Sequence, residues 1–154
     1  MRKVSVGFTI IEVLTVVVIA GMIMLIVAIG TGGVRSNARD DKRQADLAKI
    51  SSVIEKFRSD CSRYPTLAEF TTAVSSGVLI GNGDTPSCAS SSVYTNSFPK
   101  DPENPTRSYS YNVNASGSTY SLCSSLEEAP VPPMTVTSCT NSCGSACNYI
   151  IQNP

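Results

Sequence analysis

Between Phe8 and Gly33 the chain carries polar side chains only at Thr9, Glu12, Thr15 and Thr31. A run of that length exceeds the roughly 18 to 20 apolar residues needed to cross hydrocarbon, and it predicts a transmembrane helix. Glu12 breaks the pattern near its start. An ionised carboxylate inside a bilayer costs roughly 2.5 to 3.5 kcal/mol or more, so this one calls for a partner. Past Gly30, Thr31, Gly32 and Gly33 the chain turns polar but keeps a helical rhythm. Val34, Ala38, Ala45, Leu47, Ile50, Ile54 and Phe57 fall mostly three and four apart, which predicts an amphipathic helix to about Arg58 or Cys61. Asp46 faces Lys42 and Lys49, and Glu55 faces Arg58, at spacings that stabilise an exposed helix by a few tenths of a kcal/mol per pair. If the two stretches are continuous, roughly 53 residues at 1.5 Å each make a rod of about 80 Å. Gly21 and Gly30 to Gly33 are the places where it would unwind.

Pro65 ends this pattern. Thr66-Leu67-Ala68-Glu69 has the form of a capping box and opens a short second helix, with Leu67, Phe70 and Val74 on one face and Gly77 as its stop. Gly81 to Ser92 reads as loop, and so does the proline-rich Phe98 to Pro105. The period then changes to two. Tyr109, Tyr111 and Val113 alternate with polar residues, Asn114 to Gly117 supply turn chemistry, and Tyr120, Leu122, Ser124 and Leu126 alternate again. That predicts a β-hairpin, part of a small antiparallel sheet. From Pro130 to Pro154 no period is visible, and an irregular tail held by disulfides is expected. The fold class is therefore α+β: a long N-terminal helix packed on a small head with a short helix, a hairpin or small sheet, and a cross-linked tail.

Composition sharpens this picture. The six cysteines, Cys61, Cys88, Cys123, Cys139, Cys143 and Cys147, all follow the apolar run, and an even number in a small Ser-rich region reads as a disulfide framework in an oxidising compartment. Six cysteines allow 15 complete pairings; Cys61 with Cys88 is the pairing that chain order suggests. A core this small gains materially from cross-links of roughly 2 to 4 kcal/mol each. The formal net charge of zero gives no sign of nucleic-acid binding. Lys and Arg flanking the run (Arg2 and Lys3 before it; Arg35, Arg39, Lys42 and Arg43 after it) would by themselves leave the C-terminal part inside the cell. The cysteines argue for export and outweigh that count. Arg35 to Arg43 read as a solvated, membrane-proximal face. Without histidine the chain has no Ser-His or Cys-His dyad, and no enzyme is expected. Cys139, Cys143 and Cys147, spaced four apart, would line one helix face as metal ligands, but Gly144 and the exported setting favour disulfides.

The segment Gly7-Phe8-Thr9-Ile10-Ile11-Glu12, behind a short basic leader and ahead of an apolar helix, resembles the N-terminal signature of type IV pilins and of type II secretion pseudopilins. The resemblance implies removal of residues 1–7 by a prepilin peptidase between Gly7 and Phe8, with N-methylation of Phe8. It implies the divisions 8–33 for a transmembrane and filament-core helix, 34–61 for its amphipathic continuation and 62–154 for an exported head. The cationic amine created on Phe8 would neutralise Glu12 within or between subunits, and the first turn of a helix favours the carboxylate. A mismatched charge is costly away from water, so such pairing would fix axial register. The expected partners are copies of the chain in a helical filament, the peptidase, and pilus or secretion machinery in the membrane. The expected location is single-pass in the cytoplasmic membrane before assembly and in a surface filament afterwards.

Within that resemblance the long cross-linked tail leans the reading to a type IV pilus subunit. The alternatives are a type II secretion pseudopilin, a competence pilin, or a membrane-anchored binding module that does not polymerise. Two departures stand out: no proline lies between Phe8 and Cys61, and the cysteines outnumber the usual single C-terminal pair. Major pseudopilins often bind calcium in a loop, for which Asp101 and Glu103 are the candidate ligands here. Asp-Pro and Asn-Pro are also ordinary turn formers, and that reading, with no cofactor, is the expectation.

Overall fold

Leu47, Ile50, Ile54 and Phe57 are fully buried, and the elements of the head collect around them. The computed structural model describes residues 7–139 and 142–153, so the leader lies outside the described residues except for Gly7. Helix α1 spans Ile10–Cys61 and stays helical through Gly21 and Gly33. The chain divides after Ser36 into two compact units, each described by itself.

In the first unit the apolar side chains face outward: Ile10 is 89% exposed, Leu14 59% and Met24 73%. Among the described residues one helix is long and apolar enough to cross a membrane, with Ile10–Val27 at a mean hydropathy of 2.9.

In the second unit the buried stripe of α1 is Asp40, Arg43, Leu47, Ile50, Ile54, Phe57 and Cys61, spaced alternately three and four. The apolar period thus continues upstream through two charged residues. Val34, Ala38 and Ala45, expected on that stripe, are exposed, and the reading of Arg35 to Arg43 as a solvated face fails at Asp40 and Arg43. Carboxylates and a guanidinium that satisfy one another can occupy positions that hydropathy alone would reserve for aliphatic residues. The acids expected to pair along the helix bond across the fold instead. Asp46 accepts from the Tyr109 hydroxyl at 2.9 Å, and Glu55 accepts from the Tyr64 hydroxyl at 2.9 and 3.1 Å.

Helix α2 (Leu67–Ser76) opens on the expected capping box. Thr66 Oγ1 accepts from the Glu69 amide at 3.3 Å, and Glu69 accepts from the Thr66 amide at 2.6 Å. Gly77, left-handed at φ 80°, closes the helix. Its buried face is Phe70 and Ala73, with Leu67 exposed. Phe70 stacks on Tyr111 at 4.3 Å between ring centres and meets Phe98 edge-on at 5.2 Å.

Strands β1 (Leu79–Ile80) and β2 (Val93–Thr95) pair antiparallel and flank the predicted loop. A 3₁₀ turn at Pro86–Cys88 inside that loop brings Cys88 to Cys61. Strands β3 (Ser110–Val113) and β4 (Tyr120–Ser124) form the predicted hairpin, with Tyr111 opposite Leu122. Gly117 supplies the left-handed residue of its turn at φ 64°.

The tail departs from expectation. Tyr149–Gln152 forms β5, antiparallel to β4, and completes a three-stranded sheet in the order β3-β4-β5. Every residue of β4 is therefore buried, where alternation predicted one exposed face. Tyr120 and Leu122 pack into the main core with α1, while Cys123 packs with Cys139 and Cys143 on the other side. A run of four residues is too short to announce a strand by period; it becomes one because β4 offers a free edge.

Candidate assembly site and the charged cluster of the head

Gly7 and Phe8 precede α1, and Phe8 is 83% exposed. Glu12 lies in the first turn of the helix, where unpaired amides favour negative charge. Thr9 starts that turn. Its carbonyl accepts from the Glu12 and Val13 amides at 3.1 and 3.3 Å, its hydroxyl accepts from the Glu12 amide at 3.3 Å, and the same hydroxyl lies 3.5 Å from a Glu12 carboxylate oxygen. Thr9-Ile10-Ile11-Glu12 has the spacing of a capping box, so the signal for Thr9 was present in the sequence beside the one at Thr66. A shallow recess of about 270 Å³ is lined by Phe8, Glu12, Val13, Val16 and Val17. Phe8 and Glu12 thus border one concavity whose other walls are valines.

The second cluster surrounds Arg43, whose side chain is fully buried. Nε donates to Asp101 Oδ2 at 2.9 Å, Nη1 to Asp40 at 2.7 Å and Glu127 at 2.9 Å, and Nη2 to Asp101 Oδ1 at 3.2 Å and Glu103 at 2.7 Å. All five donors of the guanidinium are used. Arg39 joins through both Glu127 oxygens, and Arg107 reaches Glu103 at 3.1 Å. Asp40 also accepts the backbone amides of Glu127 and Glu128 at 2.9 to 3.0 Å. The cluster joins α1, the 101–107 loop and the 125–128 segment behind β4.

Electrostatics follow from this geometry. Bonds from Arg39 hold the Glu127 carboxyl down at about 2, outweighing a desolvation that pushes it up, with Arg43 adding to the effect. Burial works against the Arg43 charge, but bonds to Asp101, Glu127 and Asp40 more than offset it and keep the guanidinium protonated well beyond its ordinary range. Burial and the bond to Asp46 likewise hold Tyr109 in its neutral form.

The six cysteines form three disulfides, Cys61–Cys88, Cys123–Cys139 and Cys143–Cys147. Residues 142–148 contain no helix, so the last three cysteines share no helix face. Asp101 and Glu103, the candidate calcium ligands, both point at Arg43. Sequence reasoning passed over Arg43, Asp40 and Glu127 as a group because Glu127 lies 84 positions from Arg43 and 87 from Asp40. Only the continuation of the 3–4 spacing upstream of Leu47 marked the first two.

The family described as Type II secretion system (T2SS), protein G matches residues 32–129. The chain belongs to that family. Three proteins named type II secretion system core protein G are similar to it: 33% identical over 60 residues in Dickeya chrysanthemi, 33% in Klebsiella michiganensis and 32% in Aeromonas hydrophila. These alignments cover 39% of the chain and 39 to 42% of the relatives, so the chain spans about two fifths of the length of the curated relatives it matches. No solved structure matches. Membership in the protein G family backs the pseudopilin alternative better than the type IV pilus subunit, and it supports the wider pilin-like reading that both share. The matched region takes in the Arg43 cluster and ends before β5 and the Cys143–Cys147 disulfide.

Proposed function

We propose that this protein is a pseudopilin of a type II secretion system: a non-catalytic subunit, anchored by its N-terminal helix, that polymerises and works with the secretion machinery in the membrane. The reading includes cleavage between Gly7 and Phe8, methylation of Phe8, and neutralisation of Glu12 by the Phe8 amine of the same or a neighbouring subunit. One observation carries it. A single carboxylate, Glu12, stands in the first turn of a helix whose Ile10–Val27 stretch is apolar and unburied. Exposed apolar area of that extent has two natural destinations, lipid and other copies of the same helix. A carboxylate within it is tolerable in the bundle when it meets the new amine, and its match sets how far one subunit rises above the next. Membership in the protein G family and the similarity to core protein G relatives support secretion as the setting.

Replacing Glu12 by Leu tests this in cells that carry the secretion system. The variant is expected to be cleaved and inserted like the parent, and to be lost from crosslinked multimers and sheared filaments. Normal multimers from Glu12→Leu, or a working protein that keeps residues 1–7, would overturn the reading.

A further inference from the structure

We infer that Arg43 is a built-in cation of the head: its guanidinium holds the Asp101–Glu103 loop in the way a bound divalent ion would, and the loop is ordered without metal. This goes beyond the pseudopilin reading and does not rest on it.

The carboxylates around Arg43 fit a guanidinium rather than a metal. Calcium takes about six to eight oxygens converging on one point at about 2.3 to 2.6 Å. Here Asp101 spans Nε and Nη2, Glu103 adds to Nη2, and Asp40 and Glu127 share Nη1, so the oxygens are distributed around a planar fork. The remaining capacity of these acids is also directed elsewhere. Asp101 Oδ1 accepts the Glu103 amide at 2.8 Å, Asp40 accepts the Glu127 and Glu128 amides, Glu127 accepts from Arg39, and Glu103 accepts from Arg107. Three arginines face four acids across the cluster, so most of the charge is already neutralised. A divalent ion among them would sit within a few ångströms of a buried like charge and would have to strip several of these bonds. The Arg43 side chain comes from α1, so the loop is locked to the helix by folding alone.

The test is thermal unfolding of the full-length protein in detergent micelles, with excess EDTA and with millimolar calcium, for the parent, Arg43→Ser and Arg43→Lys. The parent is expected to melt at the same temperature under both conditions and to give no terbium luminescence. Arg43→Ser leaves four carboxylates around a vacated space. It should melt lower, be raised by calcium, and bind terbium with Tyr109 as a nearby sensitiser. Arg43→Lys keeps a charge without the fork; it should melt lower than the parent and stay indifferent to calcium, which serves the comparison if Arg43→Ser does not fold. A parent midpoint that falls in EDTA or rises in calcium would overturn the inference, and so would a folded Arg43→Ser without any calcium response. Because melting reads the unassembled subunit, either result leaves the filament reading standing or falling by its own experiment.

Discussion

Arg43 and Asp101 meet side-on through two parallel bonds of 2.9 and 3.2 Å, with both side chains essentially inaccessible to water. They lie 58 positions apart, one on α1 and the other in the loop that leads to β3. Breaking a buried pair from one side strands the other charge, which typically costs 3 to 5 kcal/mol. Asp101→Ala is therefore expected to destabilise the head by roughly 3 kcal/mol, the lower end because Asp40, Glu103 and Glu127 remain as acceptors. Denaturant unfolding of the purified full-length protein measures this.

Stability should fall in acid with a known sign. Glu127 has a folded value of about 2, below the ordinary 4.5. The folded state thus binds fewer protons than the unfolded state between those values, so stability is intact above about pH 4.5 and is lost as the pH falls towards 2. Glu69, lowered by Arg63 and Thr66 against its desolvation, adds in the same direction. Glu127→Gln should start less stable at neutral pH and show a shallower acid slope, read from melting midpoints across that window. Asp40, Arg39 and Arg43 are the charged groups beside Glu127, and the arginines keep their charge throughout.

Ser124 presents the opposite case. Its hydroxyl is buried without a hydrogen-bond partner among the described residues. Removing a buried polar group that has no partner relieves a desolvation penalty instead of breaking a bond. Ser124→Ala should be neutral or stabilising by up to about 1 kcal/mol in the same unfolding measurement.

Gly144 is expected to tolerate no side chain. It adopts φ 76°, and a Cβ there would lie 2.1 Å from the Thr106 carbonyl oxygen and 3.0 Å from Arg107 Cα. The left-handed conformation alone costs an L-residue about 1 to 2 kcal/mol, and the backbone contact adds to that. Gly144→Ala should lower the melting temperature clearly, and hydrogen exchange should show the loss first in the 101–107 loop and the disulfide-bonded tail.

The long helix, the capped second helix and the hairpin were legible in the amino-acid sequence because each depends on neighbours a few residues away. The 3–4 spacing of Leu47, Ile50, Ile54 and Phe57 requires a helix face, Thr66 and Glu69 satisfy each other's amides, and Gly117 sits in a turn that a β-branched residue would strain. Chain order suggested Cys61 with Cys88, and that disulfide is present. What only the tertiary structure decided are relations that no local pattern fixes: β5 as the third strand, both faces of β4 buried, the Cys123–Cys139 and Cys143–Cys147 pairings, and Asp40, Arg43, Asp101, Glu103 and Glu127 drawn into one cluster. Outside such a periodic stripe as the one that runs through Asp40 and Arg43, a charged residue carries no local mark of whether it faces water or another charge. Hydropathy assigns it to the surface by default, and packing alone reveals the partners that allow it inside.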